Sequence, residues 1–88
     1  MSSLQGYITT DRDTLESRFG KGNRFVENGE DKISIWWDVK FKIENEIVIG
    51  CIYAWKTNGY VPAIHEQFKW NIGGENFNIV NLVSEKIS

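Results

Sequence analysis

The stretch from Lys32 to Lys56, KISIWWDVKFKIENEIVIGCIYAWK, decides the fold. Ile33, Ile35, Trp37, Val39, Phe41 and Ile43 recur at period two, with Ser34, Trp36, Asp38, Lys40 and Lys42 between them. Successive side chains of a strand point to opposite faces, so this pattern makes one apolar face and one polar face. After Glu44-Asn45-Glu46 the chain resumes with Ile47, Ile49, Cys51, Tyr53 and Trp55, separated by Val48, Gly50, Ile52 and Ala54. This second strand is apolar on both faces, as a central strand covered on both sides would be.

The two strands read as a long hairpin whose loop is the three residues Glu44 to Glu46. That register sets Phe41 opposite Ile49, Val39 opposite Cys51, Trp37 opposite Tyr53 and Ile35 opposite Trp55, one continuous aromatic and aliphatic face. A two-residue loop would instead pair Trp36 with Tyr53 and set core residues against lysines, since a one-residue slip exchanges the two faces. No Asn-Gly or Asp-Gly is present to fix the turn.

Downstream, Thr57 to Glu66 is a loop, with a turn signal at Asn58-Gly59 and Pro62 disfavouring helix at Val61. Gln67 to Ile72 alternates again, with Phe68, Trp70 and Ile72 on one face of a third long strand. Gly73-Gly74 is expected to end it and to release a helix from about Glu75 to Lys86. Phe77, Val80, Val83 or Ser84, and Ile87 trace the helix's apolar stripe, widened by Ile79 and Leu82.

Upstream, Leu4 to Thr9 is a short strand with Leu4 and Ile8 on one side. Thr10 is the expected N-cap of a helix of about ten residues. Leu15 and Phe19, four apart, point to one surface, and Gly20 is the stop signal. Lys21 to Asp31 is a loop anchored by Phe25-Val26. The chain is therefore expected to be one α+β domain over residues 1–88, in the order β-α-β-β-β-α. Its architecture is an antiparallel sheet of three to four strands with two short helices packed on one face.

Eighty-eight residues with 41% hydrophobic and 14% aromatic content are enough for a single core without disulfides. A net charge of −2 and a pI near 5.3 argue against duplex DNA, which needs a basic surface to displace counterions. The one cysteine, Cys51, leaves no internal disulfide and no CxxC metal pattern. With no hydrophobic run of spanning length and no signal-like start, the chain reads as non-membrane and cytosolic.

No catalytic constellation, metal motif or cofactor motif emerges. His65 is the one histidine and stands in a loop without a second ligand, as a solvated histidine does. Cys51 falls within a strand expected to be buried, where a thiol is packing rather than a nucleophile. Gly20-Lys21-Gly22 lacks the Lys-Ser or Lys-Thr ending of a phosphate loop and follows a helix instead of preceding one. A Gly-rich loop with Lys21, Asn23 and Arg24 can still offer amides and cations to an anion, although a solvated loop is the plainer reading.

Trp37, Tyr53, Trp55 and Trp70 share the apolar phase of their strands and read as core. Trp36 points the other way, beside Asp38 and Lys40. An outward tryptophan packs under a loop, forms an interface or stacks on a ring. A homodimer contact is the first option. Stacking on a nucleobase, with Arg24, Lys56 or Lys69 near its phosphates, is the sharper one. Trp36, Lys21, Asn23, Arg24, Lys56 and Lys69 form the candidate ligand-binding set.

Gly6-Tyr7, the Leu15 to Phe19-Gly20 helix end, Trp37 four residues before Phe41, Tyr53-Ala54-Trp55-Lys56 and Trp70-Asn71-Ile72-Gly73-Gly74 together resemble a family of small tailed-bacteriophage proteins with YxWK and WxIGG motifs. The hairpin turn is read here as longer than the Asp-Gly turn of that family. The resemblance implies a phage protein acting in the host cytoplasm. By analogy with small phage proteins that lack catalytic groups, it implies a non-enzymatic anti-defence factor. Such a factor either sequesters a nucleotide-like immune signal or, as an inhibitor, binds and blocks a host defence effector such as a CRISPR nuclease.

Overall fold

The computed structural model describes residues 3–24, 33–55 and 62–88; the side chains of Arg24, Ile33, Ser34 and Trp55 fall outside that description. The chain runs β1 (Ser3–Thr10), α1 (Arg12–Phe19), β2 (Asn23–Arg24), β3 (Ile33–Ile43), β4 (Glu46–Trp55), β5 (Phe68–Gly74) and α2 (Ile79–Ile87). The sheet is antiparallel, in the order β1-β5-β4-β3-β2. It is the expected α+β order, with the two-residue β2 added at one edge.

The hairpin turn is tighter than expected. Ile43 pairs with Glu46, so Glu44 and Asn45 alone form the turn, and Glu44 takes a left-handed φ of 54°. Trp36 therefore lies opposite Tyr53, Trp37 opposite Ile52, Val39 opposite Gly50 and Phe41 opposite Val48. Ile35 pairs with Ala54 and Ile33 with Trp55, across an irregularity that absorbs one residue. The inward side chains of β4 are thus Val48, Ile52 and Ala54, all buried, while Ile47 and Ile49 are exposed. The physical reason is that β4 is apolar in both phases, so Val48, Ile52 and Ala54 fill the core as well as the odd-numbered set would.

Within β3 the expected parity holds: Ile35, Trp37 and Val39 are buried, and Asp38 and Lys40 are exposed. Trp70 is fully buried and meets Trp37 edge-on, with ring centroids 5.3 Å apart. Its indole Nε1 donates to the Thr10 carbonyl at 2.9 Å, which ties β5 to the end of β1. Gly73 and Gly74 do not end β5 but belong to it, pairing with β1 and β4.

Both helices cover the same face. α2 presses Ile79 on Gly50 so closely that a Cβ there would come within 2.6 Å of Ile79 Cγ1 and of the Gly73 carbonyl. Its buried side chains are Ile79 and Val83; Phe77 precedes the helix and is exposed, contrary to the expected stripe. Four residues of turn, 75–78, replace the predicted first turn of α2. In α1 the N-cap is Asp11 rather than Thr10, with the Thr14 N–H donating to its carboxylate at 2.9 Å. Thr10 instead closes β1, as the partner of Phe68. Gly20, at a φ of 86°, ends α1 in a conformation open to glycine at little cost.

β1 also departs from a simple strand. Leu4 pairs with Gly73 and Gly6 with Ile72, so Gln5 is an extra residue in a bulge, and Leu4 and Ile8 end on opposite faces. The bulge shifts phase after Leu4, leaving Leu4 exposed while Ile8 packs on the core. The Phe25-Val26 anchor and the Asn58-Gly59 turn lie outside the described residues.

Candidate functional site

Because α1 and α2 share one face, the opposite face of the sheet carries no helix among the described residues. Register builds a row across it. Asn23 pairs with Trp36, Trp36 with Tyr53, Tyr53 with Asn71 and Asn71 with Tyr7. Paired residues of a sheet share a face, so three aromatic side chains and two amides line up over all five strands.

Sheet geometry sets the scale of this row: neighbouring strands lie about 4.8 Å apart, so Tyr53 and Tyr7 stand about 10 Å apart with Asn71 between them. Asn71 is buried, and its Nδ2 donates a long hydrogen bond, 3.4 Å, to the Tyr53 carbonyl. Tyr53 leans over β5, since a Cβ on Gly73 would sit 3.4 Å from its Cε1 and from Cys51 Sγ. Tyr7 is about half exposed, and the Lys69 ammonium lies 4.5 Å from its ring centroid. Such a cation–π contact holds a positive charge at the rim of the aromatic row.

Burial raises the Tyr53 hydroxyl above its ordinary range, with Cys51 and Tyr7 adding to the shift. Burial likewise raises the Cys51 thiol, against a lowering by the Gly73 backbone. Both groups stay protonated at neutral pH. The row can stack on flat rings and donate hydrogen bonds, and the half-buried, protonated Cys51 is a poor nucleophile.

The predicted site residues divide. Trp36 and Asn23 are neighbours in the row, and Arg24 is the next residue of β2, opposite Ile35. Lys21 is exposed just before β2. Lys69 belongs to β5, beside Tyr7, on the far side of the sheet from Lys21. Lys56 lies outside the described residues. Sequence reasoning missed Tyr53, Asn71 and Tyr7; for Tyr53 the signal was its place opposite Trp36 in the two-residue-loop register.

Elsewhere, His65 is exposed, and its charge helps lower the Asp11 carboxyl. Among the described residues no three His, Cys, Asp or Glu side chains are grouped to hold a metal ion. No helix among them is long and apolar enough to cross a membrane. The fold and site together define a small antiparallel α+β domain with one helix-covered face and one aromatic face. Comparison with protein-family models, curated proteins and solved structures gave no match.

Proposed function

We propose that this chain is a non-enzymatic, phage-type anti-defence protein that acts as a homodimer in the host cytoplasm and sequesters a nucleotide-like immune signal. The observation that carries the reading is the row Asn23, Trp36, Tyr53, Asn71 and Tyr7 on the helix-free face. Aromatic side chains on a sheet stack on nucleobases, at about 1–3 kcal/mol per base. The exposed Asn23 amide can pair with a base edge, and Lys69 and Lys21 supply charge for phosphates. With a net charge of −2, the chain suits a short ligand better than a long polyanion.

The test is titration of the purified protein with cyclic and linear oligonucleotide messengers, read by calorimetry and thermal shift. Binding that weakens at least tenfold in Tyr53→Ala and in Tyr7→Ala supports the reading. No heat and no shift with any messenger would end it.

A second reading, a protein inhibitor that covers a host defence effector, is favoured by a different observation. Ile47, Ile49 and Phe77 are all more than half exposed, and Ile47 and Ile49 line a shallow cleft of about 410 Å³ with Glu46, Val48, Glu75 and Asn76. Exposed apolar side chains rimmed by polar ones suit a protein contact. A stoichiometric host protein that co-purifies with the native chain, and is lost from Ile49→Glu, would select this reading over the first.

A further inference from the structure

We propose that two copies of this chain join through the outer edge of β3, pairing antiparallel about a two-fold axis at Lys40. The inference rests on the homodimer in the reading above and does not depend on its ligand. β3 pairs with β4 as far as Ile43, but among the described residues β2 pairs with β3 only at Ile35 and Trp36. From Asp38 to Ile43, therefore, no described strand lies along the second edge of β3. Such an edge presents a row of backbone donors and acceptors to which another strand can add.

Symmetry and charge select the register. In a two-fold antiparallel pair, inward side chains meet inward ones only when the axis passes through a residue, which here means Lys40 or Phe41 for a run of this length. An axis at Phe41 sets Lys40 against Lys42 of the second copy, twice. An axis at Lys40 sets Asp38 against Lys42 of the second copy, twice, and Val39 against its Phe41, also twice. Lys40 then meets its own copy, with Asp38 of the second copy diagonal to it. Opposite charges directly across a pair are favourable and like charges are not, so the Lys40 axis wins.

The inner face agrees. Phe41 is only partly buried, with Phe19 edge-on at 6.3 Å, and Ile43 is 42% exposed. A second copy would extend the apolar layer over both. The other sheet edge, β1, carries the bulge at Gln5, which blunts an edge against pairing. In the joined sheet both aromatic rows face the same side.

Sedimentation equilibrium of the full chain over a range of concentrations tests this, with circular dichroism to verify folding. A dimer is expected. Asp38→Lys and Lys42→Asp should each weaken it by about tenfold, and the double variant should restore it, because the swapped pair is again opposite in sign. A monomer at every concentration would overturn the edge and the homodimer together. A dimer indifferent to both single changes, or not rescued by the double one, would overturn the edge alone. Messenger titration of the single variants reports on the ligand separately.

Discussion

The Trp37 indole Nε1 donates a 2.7 Å hydrogen bond to the Gly20 carbonyl, joining the middle of β3 to the residue that ends α1. Trp37 is also the ring that meets Trp70 at the centre of the core. One side chain therefore sets both the helix position and the packing beneath it. Trp37→Phe keeps an aromatic ring but removes the donor and some volume. It should lower stability by about 1–3 kcal/mol, read from the midpoint of urea unfolding.

At Gly50, α2 lies hard against the sheet. A methyl group there would meet the Gly73 carbonyl and Ile79 Cγ1, each at 2.6 Å, so sheet backbone and a buried isoleucine would have to shift to admit it. Gly50→Ala should cost about 1–3 kcal/mol through overpacking. Thermal unfolding would show it, and an unchanged midpoint would mean that α2 slides without penalty.

Glu44 holds a positive φ of 54° in the two-residue turn, a conformation that costs a side-chain-bearing residue about 1–2 kcal/mol. Glu44→Gly should relieve that cost and raise the unfolding midpoint, although the glycine's greater freedom when unfolded offsets part of the gain. A net gain of about 0.5–1 kcal/mol is the expected reading. A loss would argue that the turn is not strained.

Asp11 carries a pH dependence. Hydrogen bonds donated to the Asp11 carboxylate by the Thr14 side chain and backbone N–H hold it below its ordinary 3.8. A folded-state value below the unfolded one means the cap's contribution is present above 3.8 and is lost as pH falls through the folded value. Asp11→Ala should therefore unfold at lower urea than wild type at pH 7, with the gap closing as the solution is acidified below that range. A gap constant down to the acid limit would show that the carboxylate charge plays no part.

How far the fold was legible follows from the two halves of the hairpin. β3 has one apolar and one charged phase, so Trp37 inward and Trp36 outward could be read from spacing alone. β4 has no polar phase. Its direction depended on the turn, and the turn depended on Glu44 adopting a backbone conformation that its residue type does not announce. The same slip hides the site: the three-residue loop turns Tyr53 to the core, and the two-residue turn sets it opposite Trp36. Asn71 and Tyr7 join that row only through long-range pairing between β5 and its neighbours, which no local pattern encodes. Gly73-Gly74 read as a stop because glycine pairs usually punctuate, whereas here Gly73 makes room for Tyr53 and Cys51 to lie across β5.

The bond from Trp70 to the Thr10 carbonyl closes a loop of sixty residues, and among the described strands β1 has no sheet neighbour except β5. During synthesis, then, β1 leaves the ribosome well before β5 and waits for it before docking. Loop closure of that length adds entropy to the folding barrier and slows the final step relative to local hairpin formation. The β3–β4 hairpin, complete before β5 is made, offers the edge on which β5 and then β1 assemble.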